Sequence, residues 1–460
     1  MTAPTLLLAS FFAMVGCGNS SVDSMRSELA RTEARLASVP AEGVAQPSRS
    51  SSVERDTPTG SLANFQAYAF AHSPALLASF EHWRAAVEVP RKERALPDPT
   101  ITYAGFVSSV ETRVGPMRHR LGVRQWFPWP TSVLARSDAA AERAEAAQRV
   151  FEAHALALGA EVGRVYWRLW LIEQEQQIQR RQVEVLRIAK QLAETLVETG
   201  TANVSALAQI SLRIARHESH VARLSEETAR ASAKLAFTLG MQDTGTFQIS
   251  ANPSGTRLPS ESFDTLAEDL SRHPRVESII SLSSAEDALV RAARGERAPR
   301  LGLGLDWTII GDPATPVPDG GKDAVSINAS ISVPIWASGA SAKARVARAK
   351  SRAHRAQAEH VRGLLRSDLR VLLTDLRGSA RTIGTYQTQM IPQAIVAQES
   401  VYFAFEAGRV GVTDLLDTHG IRLELELELA HARYEHEVTW SDIEALVGRP
   451  VSERGDDDKR

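Results

Sequence analysis

Residues 301–335 read LGLGLDWTIIGDPATPVPDGGKDAVSINASISVPI, two alternating runs around a turn-rich loop. In the first run Leu301, Leu303, Leu305, Trp307 and Ile309 share one face, and Gly302, Gly304, Asp306 and Thr308 the other. In the second, Val325, Ile327, Ala329, Ile331, Val333 and Ile335 oppose Ser326, Asn328, Ser330 and Ser332. Successive side chains of a strand point to opposite faces, so this period of two predicts a β-hairpin. An earlier pair of strands reads the same way: Ile101, Tyr103 and Val107 oppose Thr100, Thr102 and Ser108, and Leu121 and Val123 oppose Arg120, Gly122 and Arg124. Aliphatic residues on one face, with Ser, Asn, Gly and Arg on the other, suit strands that meet lipid outside and water inside. A soluble sheet packed on one face predicts the same alternation. Trp126, Trp129, Trp307 and Trp336 favour lipid, because tryptophan collects at membrane interfaces; three of them stand near the helix-side ends of strands.

Outward from the hairpins the chain is helical. From about Ser132 to Glu198 only Gly159 and Gly163 interrupt the pattern and no proline intervenes. A continuous helix of that span is about 100 Å long. Heptad steps appear in Leu158, Val162, Val165, Leu169 and Ile172, and again in Leu365, Leu369, Leu372 and Leu376. Such narrow stripes need partner helices, and abundant alanine lets them approach closely. Ile421–Leu429 (IRLELELEL) alternates with period two, yet leucine and glutamate are strong helix formers, so a helix is predicted there.

The two hairpins belong to one unit written twice. Ser73-Pro74 and His273-Pro274 are 200 residues apart, as are Pro99 and Pro299, each ahead of a strand. Pro128 and Pro334, which close strands, are 206 apart. Gly200 and Gly408, which break long helices, are 208 apart, as are Leu239-Gly240 and Val447-Gly448. The offset grows inside the loop between paired strands, where insertion is tolerated. The expected organisation is a first repeat over 61–250, a second over 251–450 and a charged tail over 451–460.

The amino-terminal stretch Met1–Cys17 (MTAPTLLLASFFAMVGC) has an apolar core from Leu6 to Val15 and a small residue before the thiol. It reads as a lipoprotein signal over 1–17, cleaved before Cys17 and acylated on its sulfur; an ordinary secretory signal with an incidental cysteine is the alternative. Residues 18–60, rich in Ser, Pro, Thr and charge, read as a tether with a short helix at Ser24–Ala37. A single cysteine permits no intramolecular disulfide. The net charge of −2 supplies no basic excess for nucleic acid, and no apolar run is long enough for a spanning helix.

In order along the chain stand Pro97-Asp98-Pro99 before the first strand, Gln125-Trp126-Phe127-Pro128-Trp129-Pro130 after the second, and Ser332-Val333-Pro334-Ile335-Trp336 after the fourth. Ile391-Pro392 kinks the last long helix, and Gly408-Arg409-Val410-Gly411-Val412-Thr413-Asp414-Leu415-Leu416-Asp417 makes the second helical break. This layout resembles the TolC-like outer-membrane efflux proteins over roughly residues 61–450. The resemblance implies a mostly α fold with a membrane β-barrel part: a homotrimer whose chains each give four strands to a twelve-stranded barrel and helices to a long periplasmic duct. It implies an outer-membrane exit channel, lipid-anchored, working with a periplasmic adaptor and an inner-membrane pump in tripartite efflux or type I secretion. It assigns Asp414 and Asp417 to a periplasmic gate, where three copies would stack two carboxylate rings. The alternative reading makes Asp414 an N-cap and Asp417 a first-turn residue stabilised by the helix dipole. It makes Gly200, Thr201, Gly408 and Arg409 adaptor-contact tips. Arg409 and Phe405 lie near the place of the family's gate lock without matching it cleanly. On the strand alternation, Arg120, Arg124, Ser326, Asn328 and Ser330 are the expected pore lining, and Arg118 shares the parity of the two arginines.

Catalytic chemistry is absent from the pattern. His217-x-x-His220 has helical spacing for a metal clamp but lacks a third acidic or thiol ligand. Gly302-x-Gly304 lies in a strand without the helix a nucleotide loop requires. No cofactor, metal or enzymatic activity is expected. A lipid-anchored coiled-coil envelope scaffold is the other class of function compatible with the helices, and it leaves the hairpins without a purpose.

Overall fold

Prolines set several element boundaries, because proline is favoured at the first helical position and excluded from central strand ladders. The computed structural model describes residues 20–38, 58–198, 203–242, 245, 247–251, 253 and 255–453. Helices α1 (Ser20–Ser38), α2 (Leu62–His72) and α3 (Pro74–Arg94) lead into strands β1 (Thr100–Thr112) and β2 (Gly115–Phe127). Helices α4 (Pro130–Glu198), α5 (Val204–Thr238), α6 (Phe263–Asp269) and α7 (Pro274–Gly295) follow, then β3 (Arg300–Ile310) and β4 (Ala324–Ser332). Helix α8 (Ser338–Thr385), a π-turn (Tyr386–Met390), α9 (Ile391–Glu406) and α10 (Val412–Val447) complete the chain. The fold is mostly helical with one antiparallel sheet in the order β1-β2-β3-β4. Among the described residues no helix is long and apolar enough to cross a membrane.

The chain divides into two compact units. One comprises the described residues within Met1–Arg31, Phe80–Val150 and Glu277–Glu359, and contains the whole sheet. Its helical part packs on alanine: Ala135, Ala139, Ala144, Ala288 and Ala292 are buried with Phe80 and Trp83. Contact is close enough that a Cβ on Gly295 would stand 2.9 Å from the backbone of Ser132. Ser132 Oγ also donates to the carbonyl of Ala292 at 3.3 Å. Helix α1 buries Val22 and Met25, and Arg26 grips both oxygens of Glu88 at 3.0 and 3.1 Å.

The other unit comprises the described residues within Thr32–Ser79, Phe151–Val276 and His360–Arg460. Phe65, Tyr166, Trp170, Leu171, Leu235 and Leu239 form its main core cluster. The α4 stripe is buried as the heptad predicts at Val162, Val165, Leu169 and Ile172. In α8 the buried stripe runs Leu365, Leu369, Leu373, Leu376 and Ile383, so Leu373 takes the place expected of Leu372. A helix of 3.6 residues per turn drifts off a strict heptad, and here the inward face follows the helix. Ile421–Leu429 lies wholly inside α10, as propensity predicts. Pro392 has no N–H for the carbonyl of Thr388 and crowds it; the chain answers with the π-turn over Tyr386–Met390. Near the carboxyl end, buried Glu437 is held by Arg257 at 2.5 Å, and that guanidinium lies 4.3 Å from the Trp440 ring centroid. A buried carboxylate needs such a partner.

Helix α5 closes with the Gly240 N–H donating to Phe237 O at 3.0 Å and the Met241 N–H to Ala236 O at 2.9 Å. Gly240 has φ +77°, and a Cβ there would lie 2.4 Å from the carbonyl oxygen of His72. The left-handed conformation alone costs a non-glycine residue about 1–2 kcal/mol. Gly240→Ala should therefore lower the thermal unfolding midpoint of the purified protein, and an unchanged midpoint would refute this close approach.

Candidate functional site

The aliphatic face of the sheet is exposed. Ile101 is 74% exposed, Leu305 50% and Ile327 83%, and Val123, Leu301, Leu303, Val325 and Ile331 are exposed with them. On the opposite face Gly122, Gly302 and Thr308 are buried. Among the described residues the aliphatic face has no packing partner, so the alternation is not that of a sheet covering its own core.

The polar face is built in cross-strand rows. Thr100, Arg124, Gly304 and Asn328 form one row; Thr102, Gly122, Asp306 and Ser326 form the next. Trp126, Gly302 and Ser330 form another. Asn328 donates to Asp306, and Arg120 Nε to Thr308 Oγ1 at 3.4 Å. Gly122 keeps room for its neighbours, since a Cβ there would lie 2.3 Å from Asp306 Oδ1 and 2.6 Å from Thr102 Oγ1. A cleft of about 130 Å³ opens among Thr102, Gly122, Arg124, Gly304 and Asp306. The five residues expected to line a pore, Arg120, Arg124, Ser326, Asn328 and Ser330, thus share this one face.

Two details differ from the sequence reading. Trp126 shares the parity of Arg124 and lies over Gly302 on the polar face, so it does not join an interfacial belt on the aliphatic one. Trp129 and Trp336 are exposed at the helix-side ends, while Trp307 stands on the aliphatic face near the loop and donates its Nε1–H to Asp323 at 2.9 Å. The ladder between β2 and β3 shifts between Met117 and His119, so strict alternation does not extend to Arg118. Its guanidinium instead occupies the space beside Gly311.

The second location is the break between α9 and α10. Gly408 (φ +68°) ends α9: its N–H donates to Phe405 O at 2.9 Å, and the Arg409 N–H to Ala404 O at 2.8 Å. Asp414 Oδ2 accepts the Gly411 N–H at 3.1 Å, which satisfies a free donor at the start of α10. Asp414 therefore caps the helix. Asp417, one turn on, faces Arg213 of α5 at 3.7 Å. Both aspartates are exposed. A cleft of about 160 Å³ lies beside them, lined by Gln209, Arg213, Arg216, Thr413 and Asp417. Phe405 is buried with Leu186, Ile210, Leu415 and Leu416, a core position and not a partner for Arg409. Arg213 was not legible in advance, because 204 positions separate it from Asp417 and no local pattern connects them. His217 bonds Gln179 at 2.7 Å, and His220 accepts from Arg223. Cys17, Gly200 and Thr201 lie outside the described residues.

The fold is one of long helices carrying a four-stranded antiparallel sheet with an exposed aliphatic face. Residues 69–241 match the profile of a family described as outer membrane efflux protein, and the TolC-like resemblance read from the sequence is borne out. The fold matches that of CusC with TM-score 0.73 and 18% identity, covering 89% of this chain and 98% of that one. It also matches the outer membrane protein VceC from Vibrio cholerae (TM-score 0.70, 16% identity, 85% and 97% covered). The open-state MtrE outer membrane channel of Neisseria gonorrhoeae gives TM-score 0.67 and 16% identity over 88% and 95%. No curated protein sequence matches the chain.

One titration follows from burial. His273, His419 and His436 are buried, and desolvation is the largest cause pushing each imidazole from 6.5 down to about 4. The nearby Arg422 and Arg257 add to the effect on His419 and His436. The unfolded chain binds these protons first, so stability is full above pH 6.5 and is lost as pH falls toward 4. Urea midpoints should fall across that window, and His419→Asn should flatten the slope; an identical slope would remove His419 from the account.

Proposed function

We propose that this chain is the outer-membrane exit duct of a tripartite efflux or type I secretion system, passively conducting its cargo from the periplasm to the exterior. The observation that carries the reading is the uncovered aliphatic sheet face opposite a glycine-rich polar face. In lipid, strand edges must be closed, and a four-stranded sheet has two open ones. Three copies closing into one twelve-stranded barrel would pair β1 of each chain with β4 of the next, with lipid on the aliphatic face. Residues 61–250 and 251–450 are then repeats of one unit; Gly240 and Gly448, 208 positions apart, both end helices with positive φ, which supports this. Acylation of Cys17 would anchor the trimer. The breaks at Gly200-Thr201 and Gly408-Arg409 would meet an adaptor that links the duct to an inner-membrane pump. An envelope scaffold gives the aliphatic face no occupant.

Within this reading Asp414 and Asp417 form the periplasmic gate as well as a cap and an ion pair. Three copies of each carboxylate held close would favour cations and bind multivalent ones. The purified full-length protein should be trimeric and conduct in planar bilayers; a monomer without conductance would overturn the duct. Asp414→Ala with Asp417→Ala should lower cation preference and relieve block by trivalent cations. The lost cap costs about 1 kcal/mol, and the exposed ion pair less. A stable double variant with unchanged selectivity and block would place the constriction elsewhere.

A further inference from the structure

The polar sheet face carries an unbalanced charge. Arg124 and Arg120 stand on β2 and Arg300 opens β3 on the same face, opposite Ser332 of β4. All three are exposed, and none makes an ion pair among the described residues, Arg120 bonding instead to the neutral Thr308. Asp306 is the one carboxylate in these ladder rows, half-buried over Gly122 and engaged by Asn328. The remaining polar positions, Thr100, Thr102, Thr308, Ser326, Asn328, Ser330 and Ser332, are neutral. The aliphatic face has no such excess; among the positions paired in its rows are Ile, Leu, Val, Tyr103, Trp307, Phe127, Ala329 and the neutral Gln125, with His119 bonded to Tyr103.

We propose that the strand segment of the duct is an anion-attracting passage, with Arg120, Arg124 and Arg300 as its selectivity-determining residues, and that the cargo it favours bears carboxylate, phosphate or sulfonate groups. The proposal rests on the duct reading above. Closing three sheets around a lumen would gather nine arginines against three aspartates on one water-filled wall. Low-dielectric walls focus such a field and concentrate counter-ions inside. Guanidinium groups remain charged at any physiological pH and present planar donor forks that match oxyanions. Gly304 leaves room for Arg124, whose Nε lies 3.6 Å from where a Gly304 Cβ would stand, while Trp126 covers Gly302 in the neighbouring row. This sign is opposite to that of the aspartates at the helical break. The two sets therefore pull selectivity in opposite directions, and neutralising one exposes the other.

The test measures reversal potentials of the full-length protein in planar bilayers under a potassium chloride gradient. In the Asp414→Ala, Asp417→Ala background the channel should prefer chloride. Adding Arg120→Gln, Arg124→Gln and Arg300→Gln should shift the permeability ratio several-fold toward potassium. Arg124→Glu alone should shift it in the same direction and serves where the multiple variant fails to insert. In the same bilayers, millimolar citrate should reduce the current of the arginine-bearing channel and leave the glutamine variant unaffected. A conducting variant with an unchanged permeability ratio overturns the passage while leaving the duct intact. Failure of the unsubstituted protein to conduct overturns the duct itself.

Discussion

A four-stranded sheet whose aliphatic face none of the described residues covers is the constraint on which the remainder depends. Each exposed aliphatic side chain forgoes about 1.5–3 kcal/mol relative to full burial, and the outer strands add unpaired backbone donors and acceptors. In the proposed duct, lipid and further copies would satisfy both demands together. The long helices suit the same arrangement, because their stripes are narrow and helix neighbours can share them. Close helix approach is secured by alanine and by isolated contacts such as Gly295 against Ser132.

The polar chemistry is distributed by element. Aspartates stand in the first turns of α10, where a cap and a facing arginine stabilise them. Arginines stand on the glycine-bearing face of the strands, without carboxylate partners. Buried charges elsewhere are paired, as with Glu437 and Arg257, or kept neutral by desolvation, as with His419 and His436. Fixed charges in water-accessible places and neutral or paired ones in the core are what desolvation energetics requires.

The candidate site was partly legible. Parity in 301–309 and 325–332 assigned those residues of β3 and β4 to their observed faces. Strand β4 ends at Ser332, before Pro334, so Val333 and Ile335 lie beyond the strand expected to hold them. Parity also contained the placement of Trp126, which shares a face with Arg124; an interfacial expectation for tryptophan obscured it. At Arg118 parity failed because a bulge adds a residue to the ladder, and nothing in the local sequence marks that bulge. The Asp414 cap follows from its position three residues after Gly411, a local relation. The Asp417–Arg213 pair is a contact between distant segments and leaves no periodic trace.

The sequence by itself determined the elements: their type, their proline-set boundaries, the alternation of the strands and the helical nature of Ile421–Leu429. These are short-range properties of propensity and period, and they need no knowledge of neighbours. Tertiary structure decided that the aliphatic face is left open among the described residues, because alternation is identical whether that side meets a core or not. It also chose Leu373 over Leu372 in the α8 stripe, since the angular drift of a straight helix is resolved only against the surfaces it packs on.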